Sequence, residues 1–99
     1  MIRRVTVRRD ARQDLRDATR WYRNISPDLA AGFVRRVDEA IARARERPLA
    51  FPVVHRTFRR ILLHQFPYAL FYHADERRFV VVAVLHQARA PETFESRRA

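Results

Sequence analysis

Three apolar runs of strand length, all within residues 59–89, most constrain what this chain can fold into. Pro67 separates the first run from the second, and a charged turn at residues 74–78 separates the second from the third. Such runs are typical of an antiparallel meander. The predicted strands cover residues 56–63, 69–73 and 79–85, and the valine-rich last one is expected to be central and buried on both faces.

The residues before the meander begin with a predicted strand and helix. Residues 2–7 are rich in β-branched side chains, which favours a first strand that joins the same sheet. Asp10 and Gln13 have the spacing of a capping box, and Ala11 and Tyr22 belong to an apolar stripe of helical period. They predict a helix over residues 10–23. Trp21 lies beside the stripe, either as its edge, which we favour, or as a contact for a partner.

Ser26 and Pro27 predict the N-cap and first residue of a second helix over residues 27–46. Its apolar face includes Val34, and the short connection predicts an antiparallel pair of helices. The two prolines of the following connector argue against a regular central strand there, and we expect Phe51 and Val53 to hold it against the core.

The predicted order of elements is β, α, α, β, β, β. It indicates an α+β fold with an N-terminal strand, a two-helix hairpin, a three-stranded antiparallel meander and a short C-terminal tail. Both helices would lie on one face of the sheet. A chain of this length predicts a single domain over residues 1–99.

Several classes of protein are disfavoured by composition. No run of about 18 apolar residues exists, and the first residues lack the apolar core of a signal peptide, so we expect a cytoplasmic protein without membrane contact. The single glycine cannot build a phosphate-binding loop, and no two histidines have i, i+4 spacing on a helix. We therefore expect neither a cofactor nor a metal.

The formal net charge is +10, and the chain has 21 arginines and no lysine. A charge of this size predicts attraction to a negative partner, which can be a nucleic acid, an acidic protein surface or an acidic disordered segment.

Several segments, in this order, resemble the ParE/RelE toxin superfamily, nearest its ParE branch. The resemblance covers nearly the whole chain and is carried by Trp21-Tyr22, the helix at residues 33–44, Arg60-Ile61-Leu62-Leu63, the segment from Phe66-Pro67-Tyr68 to Tyr72, and Ala83-Val84-Leu85-His86-Gln87-Ala88-Arg89-Ala90-Pro91.

The resemblance implies a toxin of a type II toxin-antitoxin pair. Its partner would be an acidic-tailed, ParD-like antitoxin that wraps the toxin in a hetero-oligomer and alone binds operator DNA. Trp21, Leu29 and Phe51 are the antitoxin contacts we expect, because apolar grooves on a cationic protein suit an amphipathic acidic peptide. ParE members poison DNA gyrase, whereas RelE members cut messenger RNA on the ribosome, and a shared fold cannot choose between these activities.

The alternative of a RelE-like nuclease requires a base, an acid and clustered cations. Arg60 occupies the position of one such cation, but Leu62 and Ala69 stand where the nuclease pattern has basic residues. The catalytic tyrosine would fall near Thr93 or Phe94. Only a reduced site of Arg60, His86 and Arg89 remains, so we expect docking rather than catalysis.

Inhibition by docking requires a suitable surface and no reacting group. Arg89, Arg97 and Arg98 are the expected gyrase contacts, with Phe94 as an aromatic anchor. The other reading is a solvated basic rim in which Arg97 and Arg98 are exposed and Phe94 merely covers the core.

Overall fold

A computed structural model describes residues 4–89 and 96–98, and within them the chain forms a sheet covered by two helices. The α+β class predicted from the sequence is confirmed. In chain order the elements are β1 (Arg4–Val7), α1 (Arg9–Ile25), α2 (Pro27–Glu46), β2 (Val53–His55), β3 (Phe58–Leu62), β4 (Tyr68–Ala74) and β5 (Arg78–His86).

The order of strands in the sheet is β1-β5-β4-β3-β2. β3, β4 and β5 form the predicted meander, but β1 pairs with β5 in parallel, so the expectation of an antiparallel sheet is wrong for this pair. β5 thus has a neighbour on each side, and its residues 79–85 are all buried, as predicted. The pairing of β1 with β5 extends only as far as Val81, because β1 ends at Val7 opposite that residue.

The connector contributes a short strand that the sequence did not predict. β2 lies at the sheet edge and follows Pro52, whose missing N–H costs no ladder bond there. The carbonyl of Pro52 accepts a hydrogen bond from the Arg60 N–H at 3.0 Å. Phe51 packs against the core as expected, whereas Val53 is exposed, so the expectation for Val53 is wrong.

The helix ends show one correct and one wrong capping prediction. Ser26 caps α2 by accepting a hydrogen bond from the Asp28 N–H at 3.1 Å, and Pro27 is the first helical residue. α1 instead starts at Arg9, with Arg8 as N-cap and Asp10 inside the first turn. The Arg8 N–H donates a hydrogen bond to the Val81 carbonyl of β5. This bond holds Arg8 against the sheet, and α1 begins at the next residue.

Both helices cover one face of the sheet, as predicted. Their shared core consists of buried residues of α1 and α2 packed on the strand residues of that face, including Ala11, Tyr22, Phe33, Ile61, Tyr72 and Val84. The alternation along β5 shifts by one residue at a bulge, since Phe71 pairs with Ala83 and Tyr72 with Val81. Val34 is exposed, so its predicted place on the apolar face of α2 is wrong. A second buried cluster on the opposite face contains Phe58, Phe71, Val82 and Leu85.

Within the described residues, neither helix is long and apolar enough to cross a membrane.

Candidate functional site

A cleft of about 450 Å³ opens between the C-terminal half of α1 and the end of β5. We call it the α1–β5 cleft, and its walls include Asp14, Asp17, Trp21, Tyr22, Tyr68, His86 and Arg89. The structure therefore brings Trp21, an expected antitoxin contact, into the same cleft as Arg89, an expected gyrase contact.

Tyr22 and Tyr68, which line the cleft, belong to an aromatic cluster. The ring of Tyr22 lies 5.3 Å from that of Phe33, 5.0 Å from that of Phe66 and 6.1 Å from that of Tyr68, mostly in edge-to-face contacts. Such contacts add about 0.5–1.5 kcal/mol each to the stability gained from burial. The contact between Tyr22 and Tyr68 packs α1 on the sheet beside the cleft.

Trp21 forms the outer wall of the α1–β5 cleft. Its ring meets Tyr22 edge-on at 5.1 Å, yet the residue is 60% exposed. The favoured reading of Trp21 as the edge of the core is therefore wrong. Ile25, one turn further along α1, is 58% exposed and was not singled out from the sequence. The i, i+4 spacing of these two apolar residues off the buried stripe is the signal that could have identified them.

His86 ends β5 and faces Tyr68 at a ring distance of 5.5 Å. Its Nδ1 accepts a hydrogen bond from the Ala88 N–H at 3.1 Å, which leaves the proton of the neutral ring on Nε2. Arg89 follows in a turn closed by its own N–H on the His86 carbonyl at 3.0 Å. The turn places an imidazole and a guanidinium on the same wall.

The two tyrosines of the cleft stay protonated at neutral pH. Burial raises the pKa of Tyr68, the nearby Arg89 guanidinium opposes this rise, and Asp14 adds to it. Burial, and then the neighbouring Tyr68, raises the pKa of Tyr22. Both hydroxyls are therefore hydrogen-bond donors rather than bases.

Asp14 closes the edge of β5 beyond the end of β1. Its Oδ2 accepts hydrogen bonds from the Val84 N–H at 3.0 Å and from Arg97 Nη1 at 2.6 Å, while Oδ1 accepts from Arg97 Nη2 at 3.2 Å. Arg97 Nη1 also donates to the Val82 carbonyl at 3.1 Å. The side chain of Arg97 is only 16% exposed, so the expectation that it is exposed is wrong. Its guanidinium is bound by the Asp14 carboxylate and by the Val82 carbonyl at the edge of β5.

Arg60 lies away from the cleft. It is the residue before Ile61 on β3, and Ile61 packs in the core under the helices, so Arg60 leaves the sheet on the opposite face. His86 is two residues after Val84, which belongs to the helix-covered face, and lines the α1–β5 cleft. The structure thus places Arg60 and His86 on opposite faces and does not assemble them into one site.

Side chains alternate along β3 and the residue after it, because Arg60 and Leu62 are exposed while Ile61 and Leu63 are buried. Arg60 lines a separate recess of about 460 Å³ together with Phe51, Leu62 and His64. Ala69 is buried in the cluster on that face of the sheet. Neither Leu62 nor Ala69 offers a group for proton transfer.

The remaining predicted contacts are spread over the surface. Leu29 is exposed in the first turn of α2, whereas Phe51 is half-buried beside Arg60. Arg98 is exposed next to Arg97. Thr93 and Phe94 lie outside the described residues. Asp14, Asp17 and Tyr68 line the cleft without having been predicted as site residues, since no local pattern marks a lone carboxylate or a strand tyrosine.

Among residues 4–89 and 96–98, no group of three histidine or acidic side chains is placed to hold a metal ion.

Comparison with known proteins gives a family and solved structures of similar fold. The sequence model of a family described as ParE toxin of type II toxin-antitoxin system, parDE, matches residues 5–91. A solved structure titled "Chromosomal ParDE TA system from P. aeruginosa" is similar in fold, with a TM-score of 0.74 and 16% identity over 85% of this chain and 95% of that chain. Curated protein sequences give no match.

Proposed function

The chain belongs to the ParE toxin family of type II toxin-antitoxin systems, and from this premise we propose that it inhibits DNA gyrase by binding and is neutralised by a cognate antitoxin. A gyrase target on chromosomal DNA would place the protein in the cytoplasm.

One observation supports docking over RNA cleavage more than any other: Arg60 and His86 leave the sheet on opposite faces. Cleavage of RNA without a metal requires a base, an acid and cations around one phosphate. On the face that carries Arg60, the neighbouring positions Leu62 and Ala69 are apolar. Docking makes no such demand, because shape, charge and a few anchoring residues are sufficient.

The exposed apolar residues around the helical hairpin support the antitoxin partner. Trp21 and Ile25 on α1 and Leu29 on α2 are exposed on a protein with a net charge of +10. An acidic amphipathic segment of a ParD-like antitoxin would be steered by the charge and anchored by these residues. The resulting complex is a hetero-oligomer in which the antitoxin alone recognises the operator sequence.

The shared cleft supports a simple mode of neutralisation. Trp21 and Arg89 line the same cleft of about 450 Å³. A segment of the antitoxin that packs on Trp21 would cover Arg89 and prevent it from contacting gyrase. Arg98 is the second exposed basic residue proposed to contact gyrase, and Phe94 keeps its predicted role as an aromatic anchor. We reassign Arg97 from contact residue to anchor of the C-terminal segment, because its side chain is held by Asp14.

The decisive experiment compares two activities of the purified toxin. We expect stoichiometric toxin to inhibit supercoiling by gyrase, and equimolar antitoxin to restore it. Ribosomes programmed with messenger RNA should show no toxin-dependent cuts. Unaffected supercoiling together with codon-specific cuts would reject the proposal and favour the RelE-like activity.

Variants of Arg89 and of the C-terminal segment test the contact surface. We expect Arg89→Ala, or removal of the residues after Pro91, to abolish inhibition of supercoiling while antitoxin binding persists. Arg23→Ala, another exposed arginine, is the matched control for charge. Arg97→Ala is the control for the truncation, because both remove the bond to Asp14. Full inhibition by both Arg89→Ala and the truncated protein would remove these residues from the contact.

A further inference from the structure

A second recess, of about 470 Å³, lies between the start of α1 and residues 96–98. We call it the arginine recess, because five of its lining residues are Arg8, Arg9, Arg12, Arg97 and Arg98. The hydroxyl side chains of Thr6 and Ser96 also line it. It is separate from the α1–β5 cleft. Among its arginines, Arg98 is also a proposed gyrase contact.

Two of the five arginines are held in place by the fold. Arg12 Nη1 donates to the Val7 carbonyl at 2.6 Å, and Arg97 is bound by Asp14 and by the Val82 carbonyl. Their guanidinium groups are therefore fixed relative to the sheet, and they lose little side-chain entropy if they meet a ligand.

Arg8, Arg9 and Arg98 are exposed, and their side chains make no hydrogen bond or ion pair with the described residues. Asp10 is the acidic residue that lines the recess among the described residues, and its Oδ2 is 3.7 Å from Arg97 Nε. Even with Asp10 and Asp14 set against Arg97 and Arg12, the described residues of the lining leave the positive charge of three arginines without a counter-charge.

We propose that the arginine recess binds the phosphate backbone of duplex DNA. Guanidinium groups form bidentate, charge-assisted hydrogen bonds with phosphate, and serine and threonine hydroxyls are common donors to the same oxygens. Such contacts carry no sequence information, so the recess binds DNA of any sequence. The inference goes beyond inhibition of gyrase, since it gives the toxin a direct contact with DNA.

The lining of the recess favours DNA over an acidic peptide. Interfaces with DNA are polar and strongly positive, whereas a peptide interface is centred on apolar or aromatic anchors. The apolar side chains among the described residues of the lining are Val7, which is half-buried, and Val82, which is fully buried. The α1–β5 cleft, with Trp21 and Tyr68, has the opposite character.

The test measures binding of a short labelled duplex of random sequence by fluorescence anisotropy over a range of salt concentrations. A triple variant, Arg8→Ala with Arg9→Ala and Arg98→Ala, removes the exposed charges of the recess. We expect its affinity to fall at least about 10-fold and the slope of log K against log salt to decrease by about 3, because each lost arginine removes about one phosphate contact.

The matched control removes three exposed arginines from the helices, Arg20→Ala with Arg23→Ala and Arg35→Ala, and so has the same net charge. We expect it to lower the affinity by about 3-fold or less, through the long-range field alone. If the recess variant fails to fold, Arg98→Glu is the substitute, because Arg98 lies outside the helices and strands of the described part. We expect this variant to lose at least about 5-fold in affinity for DNA.

Equal losses in the two triple variants, or no binding by the wild type, would overturn the proposal. So would a recess variant that keeps its affinity for DNA but loses affinity for a poly-glutamate peptide, because the recess would then be a peptide site. The assay contains no gyrase, so its outcome is independent of whether gyrase is the target.

Discussion

Asp14 and Arg97 are 83 positions apart in the chain and form a bidentate ion pair at the edge of β5. The carboxylate also accepts the Val84 N–H, and the guanidinium also donates to the Val82 carbonyl. The pair therefore occupies backbone groups of β5 that a longer β1 would have bonded. It ties α1, β5 and the C-terminal segment together at the wall of the α1–β5 cleft.

We predict that Asp14→Ala lowers the free energy of unfolding by about 2–3 kcal/mol, somewhat less than the loss of a partner in a fully buried pair. The side chains of Asp14 and Arg97 are 11% and 16% exposed, so little solvent screens the arginine that remains. Urea unfolding measures the change. Asp17→Ala is the matched control, because Asp17 is an exposed carboxylate on the same helix.

A double-mutant cycle separates the pair from the other contacts of Asp14. Because the two residues share their hydrogen bonds, Asp14→Ala with Arg97→Ala should cost less than the sum of the single variants by about 1–2 kcal/mol. Strict additivity would show that the ion pair contributes nothing to stability.

The sequence was sufficient to predict the elements whose own residues determine them. The valine row of β5, the stripe through Ala11 and Tyr22 on α1, and the Ser26-Pro27 start of α2 are local patterns with a direct physical cause. The apolar period determines β5 and the stripe on α1, and the missing N–H of Pro27 determines the start of α2. Each of these features lies where the sequence predicts it.

What could not be predicted depends on residues that are distant in the chain. The start of α1 is set by the bond between Arg8 and Val81, so the capping-box spacing at Asp10 was misleading. The burial of Arg97 depends on Asp14 and on an open strand edge, which exists because β1 ends at Val7. In the candidate site, the separation of Arg60 from His86 required knowledge of the register of β3 and β5, which no single segment contains.

Tyr72 fastens the connector after α2 to the sheet. Its hydroxyl donates to the Pro48 carbonyl at 2.6 Å, and both residues are buried. We predict that Tyr72→Phe lowers the free energy of unfolding by about 1–3 kcal/mol, because the carbonyl is left buried without a donor. Tyr68→Phe is the control: the Tyr68 hydroxyl makes no hydrogen bond within the described residues, so thermal unfolding of that variant should be nearly unchanged.

The three tyrosines make stability fall at high pH. Burial is the main cause that raises the pKa of Tyr22, Tyr68 and Tyr72 above the ordinary value of about 10. Each contributes stability that is fully present below the unfolded pKa and is lost as the pH rises through the higher folded pKa, because the unfolded chain loses its protons first. We therefore expect the urea midpoint to be constant up to about pH 9 and to fall above about pH 10. A urea midpoint that stayed constant up to about pH 11 would contradict the raised pKa of these tyrosines.

Trp21 is predicted to dominate the binding of the antitoxin without supporting the fold. It is 60% exposed, and large exposed aromatic residues are frequent hot spots of protein interfaces. Trp21→Ala should weaken antitoxin binding at least about 30-fold, equivalent to about 2 kcal/mol, in isothermal titration calorimetry. Val34→Ala removes another exposed apolar side chain and should leave the affinity within about 2-fold, since truncation of most surface residues costs little. An unchanged affinity of Trp21→Ala would exclude Trp21 from the interface.

Gly32 lies in the interior of α2, where it is tolerated rather than required. An added Cβ would lie 3.6 Å from Phe66 Cζ and 3.7 Å from Arg35 Nη2, both ordinary van der Waals distances to side chains. Its backbone φ is not positive, so alanine fits without strain. We predict that Gly32→Ala raises the free energy of unfolding by about 1 kcal/mol, and the melting temperature by about 4–8 °C for a chain of this size, because alanine has less backbone entropy to lose in a helix. Ala31→Gly, at the exposed neighbouring position, is the reciprocal control and should lower stability by a similar amount. If Gly32→Ala lowered the free energy of unfolding while Ala31→Gly lowered it as expected, Phe66 would be shown unable to accept the added methyl group.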